Sequence, residues 1–119
     1  MLETTMTDLY GIPNCDTVRK ARKWLLDRDI AYRFHDYKKE GVDEAMLASC
    51  CAALGWEAML NRRGTTWRRL PDSEKQDLNP EKAMVLMRTH PSLIKRPVLV
   101  AGQTLEVGFS EQRYQELFS

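Results

Sequence analysis

The chain has 119 residues, of which 43% are hydrophobic and 29% charged, with a formal net charge of +1. That length suits one domain with a single core, and the composition is that of a globular protein. A nearly balanced charge gives no global attraction to nucleic acid or anionic lipid, and no apolar run approaches the ~20 residues that cross a bilayer.

Direct nucleic-acid or membrane contact is therefore not expected. Met1 to Asp8 contains neither the basic nor the apolar region of a secretory signal, so the expected location is cytoplasmic. Either Met1 or Met6 starts the domain; in the second case residues 1–5 are a short extension. Three cysteines, Cys15, Cys50 and Cys51, are an odd count that does not suit a disulfide framework. Adjacent cysteines bridge only with strain. There is no Cys-x-x-Cys, and His35 and His90 have no ligand-like spacing, so no metal site is expected.

In chain order, Met6–Tyr10 reads as a strand with Leu9 and Tyr10 as its apolar mass. Gly11-Ile12-Pro13-Asn14 is a turn cluster. A helix follows from about Cys15 to Asp29, with Val18, Ala21 and Leu25 at helical spacing. Ile30, Tyr32 and Phe34 alternate with Ala31, Arg33 and His35, the pattern of a half-buried strand. Lys38-Lys39-Glu40-Gly41 is a loop. Asp43 caps the next helix, whose core face is Leu47, Cys50, Cys51 and Leu54, and Gly55 stops it.

Trp56–Leu70 reads as short helical turns around a basic loop, Asn61-Arg62-Arg63-Gly64, with Trp67 and Leu70 as anchors. Asn79-Pro80 is a helix start, with Asn as N-cap and Pro at the first helical position. Ala83, Met84 and Met87 form its inner face, and Pro91 ends it. Strands 97–101 and 104–107 flank Gly102-Gln103, a type II′ hairpin. Ser110 caps a last helix with Tyr114, Leu117 and Phe118 facing inward.

The order is β-α-β, a helical block over about 41–93, then β-β-α. The first unit requires a parallel strand pair and the last hairpin an antiparallel one. The fold class is α/β: one thioredoxin-like domain over 1–119, a four-stranded mixed sheet with a helical insertion.

Three elements carry chemistry. Cys15 follows a strand and a tight turn and opens a helix. There the helix dipole and the free N–H groups of the first turn favour the thiolate, the attacking form. Asn14 and Thr17 are placed to add hydrogen bonds. Arg19, one turn on, reads as a solvated side chain. Cys50 and Cys51 lie on an apolar stripe, where cysteine behaves as a small hydrophobe. Arg96-Pro97 enters a strand, a place for a cis turn or for an ordinary trans proline. Asn61-Arg62-Arg63-Gly64-Thr65-Thr66 can bind a carboxylate or oxyanion through bidentate arginines, or be a solvated basic loop.

Together these stretches resemble the arsenate reductase (ArsC)–Spx superfamily, most closely its YffB branch. The matching runs are Leu9–Thr17, Phe34–Lys38, Leu60–Leu70, Ile94–Pro97 and Val107–Ser110. The resemblance implies that Cys15 is the active cysteine and that Arg96-Pro97 is a cis bond beside it. In arsenate reductases three arginines surround the thiol. Here Arg96 alone matches, Asn61 and Gly108 take the other two places, Arg62 and Arg63 are neighbouring candidates, and Gly11 stands where those enzymes carry a histidine.

The function expected on these grounds is a monomeric single-cysteine thiol oxidoreductase using glutathione as co-substrate, with no bound cofactor. Asn14, Thr17, Arg62, Arg63, Arg96 and Pro97 would bind substrate or glutathione. The alternative is an Spx-like regulator docking on RNA polymerase. Those proteins resemble this chain in the Arg-Pro strand, but the Cys-x-x-Cys switch some of them carry is absent, Val18 standing at its fourth position.

Overall fold

The computed structural model describes residues 6–119; residues 1–5, the possible extension, lie outside the described residues. Contacts divide the chain into two compact units. One comprises residues through Glu40 together with Arg96–Ser119; the other is Gly41–Lys95.

In the first unit, β1 (Thr7–Gly11), β2 (Arg33–Asp36), β3 (Val98–Ala101) and β4 (Thr104–Val107) form a sheet ordered β2-β1-β3-β4. β1 pairs with β2 in parallel and with β3 antiparallel, and β3 pairs with β4 antiparallel. This is the mixed four-stranded sheet of a thioredoxin-like fold. Gly102 takes φ 62 while Gln103 stays out of the left-handed region. Ala101 pairs with Thr104 across this two-residue loop, as a type II′ turn requires.

Helix α1 (Asp16–Asp27) crosses over between the parallel strands. It buries Val18, Ala21, Trp24 and Leu25, so the indole of Trp24 widens the expected stripe. The core of this unit is Leu9, Ala21, Trp24, Leu25, Leu99 and Tyr114, ringed by Ile30, Tyr32, Phe34, Phe109, Leu117 and Phe118. Trp24 and Tyr114 meet edge to face, with centroids 5.6 Å apart, the geometry that aromatic quadrupoles favour.

Two local expectations change here. β2 starts at Arg33, not Ile30. Asp29 turns into the left-handed region at φ 56, and the first ladder pair is Asp8 with Arg33. Ile30 and Tyr32 therefore pack on the core from irregular backbone. Tyr37–Glu40 is a helical turn, α2, rather than a loop.

The second unit is helical: α3 (Glu44–Leu54), α4 (Trp56–Met59), α5 (Thr65–Arg69), α6 (Asp72–Lys75) and α7 (Pro80–Thr89), then a 3-10 turn at Pro91–Leu93. Asp43 accepts from the Met46 N–H and Asn79 from the Lys82 N–H, so both expected caps form. The buried face of α3 is Met46, Leu47 and Cys50, with Cys51 and Leu54 half-buried. In α7 Leu86 is buried and Met84 half-buried, the reverse of the expected order. Leu60 bridges Ile94.

In α8 (Glu111–Leu117), Ser110 caps through its hydroxyl on the Arg113 N–H, and Tyr114 is the fully buried residue. Leu117 and Phe118 are half-buried. Among the described residues no helix is long and apolar enough to cross a membrane, and no cluster of three His, Cys, Asp or Glu could hold a metal ion.

Candidate active site

β1 ends at Gly11, and Ile12-Pro13-Asn14 carry the chain into α1. Cys15 is the N-cap of that helix: its backbone is extended, at φ −149 and ψ 125. Its carbonyl accepts from Arg19 N–H at 2.9 Å and its N–H donates to Pro13 O at 2.9 Å. Its side chain, partly exposed, stands at the position from which N-cap acceptors bond the first turn, but makes no cap hydrogen bond.

The thiol is held below its ordinary value. Burial acts most strongly and pushes it up. The Val18 and Thr17 N–H groups of the first helical turn and the Arg96 guanidinium favour the thiolate and together outweigh that. Thr17 contributes through its backbone, not its hydroxyl. The two N–H groups belong to the orphan donors of a first helical turn, which favour an anion at that end.

Arg96 comes from the segment leading into β3, and the Arg96–Pro97 peptide bond is cis. Pro97 is buried, and its carbonyl accepts from the Gly108 N–H at 2.8 Å. Gly108 needs its lack of side chain, since its φ is +86. Gly11 needs it for space: a Cβ there would lie 3.0 Å from Val18 Cγ2 and 4.0 Å from Arg96 Cβ. The residues on either side of the sulfur thus pack against a bare backbone.

Asn14 and Arg19 are linked, with Arg19 Nη2 donating to Asn14 Oδ1 at 2.7 Å and Nη1 to Asp16. Arg19 is therefore not merely solvated. Arg62 and Arg63 belong to the second unit, where both are exposed. Arg62 lies 5.4 Å over the Trp56 ring, and the Arg63 N–H donates to Asn61 Oδ1 at 3.0 Å. All three cysteines are free. Burial pushes Cys50 up to about 11, with Cys51 adding to it, and burial also raises Cys51.

Sequence reasoning passed over a second polar cluster. The His35 ring stacks on Tyr10 at 4.4 Å and bonds Asp8 at 2.8 Å and Glu40 at 2.9 Å. Its signal, the Tyr10–His35 register pair, exists only once strands are aligned. Burial lowers the His35 pKa, but the bonds to Asp8 and Glu40 outweigh it and the net shift is upward. A raised value means that this contribution to stability is fully present below about 6.5, the unfolded value. It is lost as pH rises through the folded value. The wild type is expected to lose more melting temperature between pH 5.5 and 8.5 than His35→Gln; thermal unfolding at both pH values measures it. Equal losses would show that His35 contributes nothing.

A helix-capping, activated cysteine beside a cis Arg-Pro bond on a mixed four-stranded sheet defines a thiol protein of thioredoxin-like fold. The ArsC family profile matches residues 10–117, and the chain belongs to that family. It is 40% identical to an uncharacterized protein of Haemophilus influenzae, over 96% of this chain and 100% of that one. It is 26% identical to the global transcriptional regulator Spx of Streptococcus pyogenes, over 96% and 86%. A solved YffB protein superposes with a TM-score of 0.92 at 48% identity, covering 95% of this chain and 99% of that one. An arsenate reductase related protein from Brucella melitensis gives 0.75 at 44%, covering 100% and 99%.

Proposed function

We propose that this protein is a glutathione-dependent, single-cysteine thiol oxidoreductase. The observation that carries the reading is Cys15 at the N-cap of α1, beside the cis Arg96–Pro97 bond, with the first-turn N–H groups and Arg96 lowering its thiol. The Cys15 thiolate attacks the glutathione sulfur of a mixed disulfide, forming a Cys15–glutathione disulfide and expelling the other sulfur as a thiolate. A second glutathione thiolate then attacks that adduct, releasing oxidised glutathione and restoring the Cys15 thiolate. One disulfide is reduced and one formed. No prosthetic group takes part.

Resolution by glutathione fits the cysteine set, because Val18 and not a second cysteine stands one turn after Cys15, and it is fully buried. Arg96, Asn14, Thr17 and Pro97 are proposed to hold the tripeptide, with Arg96 taking a carboxylate. Mass spectrometry after incubation with oxidised glutathione tests this. The expected product is one glutathione on Cys15, removed by reduced glutathione. An unmodified Cys15, or an adduct on Cys51 alone, refutes it.

A second reading follows from the Spx relative, which is similar over nearly the whole chain. In that case the protein docks on RNA polymerase as a regulator, and polymerase recovered with it from lysate would favour that class.

A further inference from the structure

Arg19 stands one turn beyond Cys15, whereas the cation that lowers the thiol is Arg96. The Arg19 guanidinium bonds Asn14 Oδ1 and Asp16 Oδ1 instead. A carboxamide has one accepting end and one donating end. A guanidinium has only donors, so it fixes which end of Asn14 faces it. The Asn14 NH2 must point away from Arg19. Asn14 is exposed, and among the described residues its side chain makes no hydrogen bond except this one. A donor pair of fixed orientation is thus carried by the residue next to the reactive thiol.

We propose that Arg19 is a positioning residue, holding the Asn14 carboxamide so that its NH2 receives an acceptor oxygen of the thiol co-substrate. Within glutathione that oxygen is a peptide carbonyl or the glycyl carboxylate, since the reacting cysteine is flanked by both amides. The inference rests on the glutathione reading above. It adds a source of selectivity: a ligand with oxygens near its sulfur is preferred over a bare thiol. Asp16 balances the Arg19 charge, so the pair adds direction rather than a net positive field.

The experiment compares rate constants for the reaction of reduced Cys15 with oxidised glutathione and with hydroxyethyl disulfide, which lacks carbonyl and carboxylate. The ratio of the two, taken within one preparation, cancels any loss of folded protein. Asn14→Ala is expected to lower this preference about fivefold for a peptide carbonyl and by roughly tenfold or more for the carboxylate, the effects of a neutral and a charge-assisted hydrogen bond. Arg19→Met should lower it by about threefold, and Arg19→Lys should recover part of that. Adding Arg19→Met to Asn14→Ala should change nothing further, the mark of two residues acting as one unit. Oxidised glutathione ethyl ester identifies the oxygen: a retained preference assigns the peptide carbonyl, a lost one the carboxylate. If the wild type reacts at Cys15 with neither disulfide, the glutathione reading itself fails. If it reacts, and the preference is the same in the variants, or both rates fall together, Arg19 and Asn14 have no such role.

Discussion

Cys15→Ser is expected to abolish disulfide reduction, whereas Cys51→Ser and Cys50→Ala leave it in place. The separation follows from what surrounds each sulfur. Only the thiolate attacks, and a thiol near 8.5 is a few per cent ionised at neutral pH. At Cys15 the Val18 and Thr17 N–H groups and Arg96 overcome the upward push of burial. At Cys50 nothing overcomes it, and the value stands at about 11; Cys51 is raised as well. Alkylation by iodoacetamide followed against pH, with each site read by peptide mass, should show Cys15 titrating first. At neutral pH it should react ahead of Cys51, because its thiol is lowered and that of Cys51 is raised. Arg96→Met should shift the Cys15 profile upward and leave Cys51 where it was. Turnover that survives Cys15→Ser would sink the mechanism; a Cys15 that alkylates more slowly than Cys51 would assign the nucleophile wrongly.

What could be read from the sequence was whatever rests on local rules. Asp43, Asn79 and Ser110 each cap a helix as short polar residues before an apolar-periodic run do. The Gly102-Gln103 hairpin and the strand–turn–Cys–helix element are equally local. What could not be read depends on partners remote in sequence. The start of β2 is set by where β1 begins to pair, so Ile30 and Tyr32 alternate without being a strand. The inner faces of α3 and α7 are set by what packs on them, hence Met46 and Leu86 inside with Cys51 and Met84 partly out. The cis Arg96–Pro97 bond and the Asp8–His35–Glu40 cluster needed, respectively, a family likeness and a strand register to be seen. The arginine placement divides the same way. Arg96 reaches the sulfur from a neighbouring strand segment, a contact that no spacing along the chain announces.

Arsenate turnover is expected to be slight or absent where disulfide reduction is measurable. Stripping water from a doubly charged oxyanion is costly unless each oxygen is re-bonded, so the site must supply several converging donors. Of the three arginines that arsenate reductases bring to the thiol, this chain matches Arg96. Gly108, at another of the places, has φ +86 and its N–H committed to the Pro97 carbonyl. An arginine there would adopt a backbone that side chains avoid. Asn61, at the remaining place, spends its Oδ1 on the Arg63 N–H. Gly11 cannot become the upstream histidine without pressing on Val18 Cγ2, 3.0 Å from its Cβ position. The Val18 N–H in turn favours the Cys15 thiolate, so that substitution would disturb the thiolate it is meant to assist. Loss of one such donor commonly costs ~10²–10³ in rate, and two are missing. A disulfide asks less: a thiolate, and hydrogen bonds to a ligand that arrives largely neutral at the reacting atoms. Both substrates should be assayed on one preparation, with Cys15→Ser as the blank. Robust arsenate reduction without thiol–disulfide activity would overturn this expectation, and would assign the missing donors to Arg62 or Arg63.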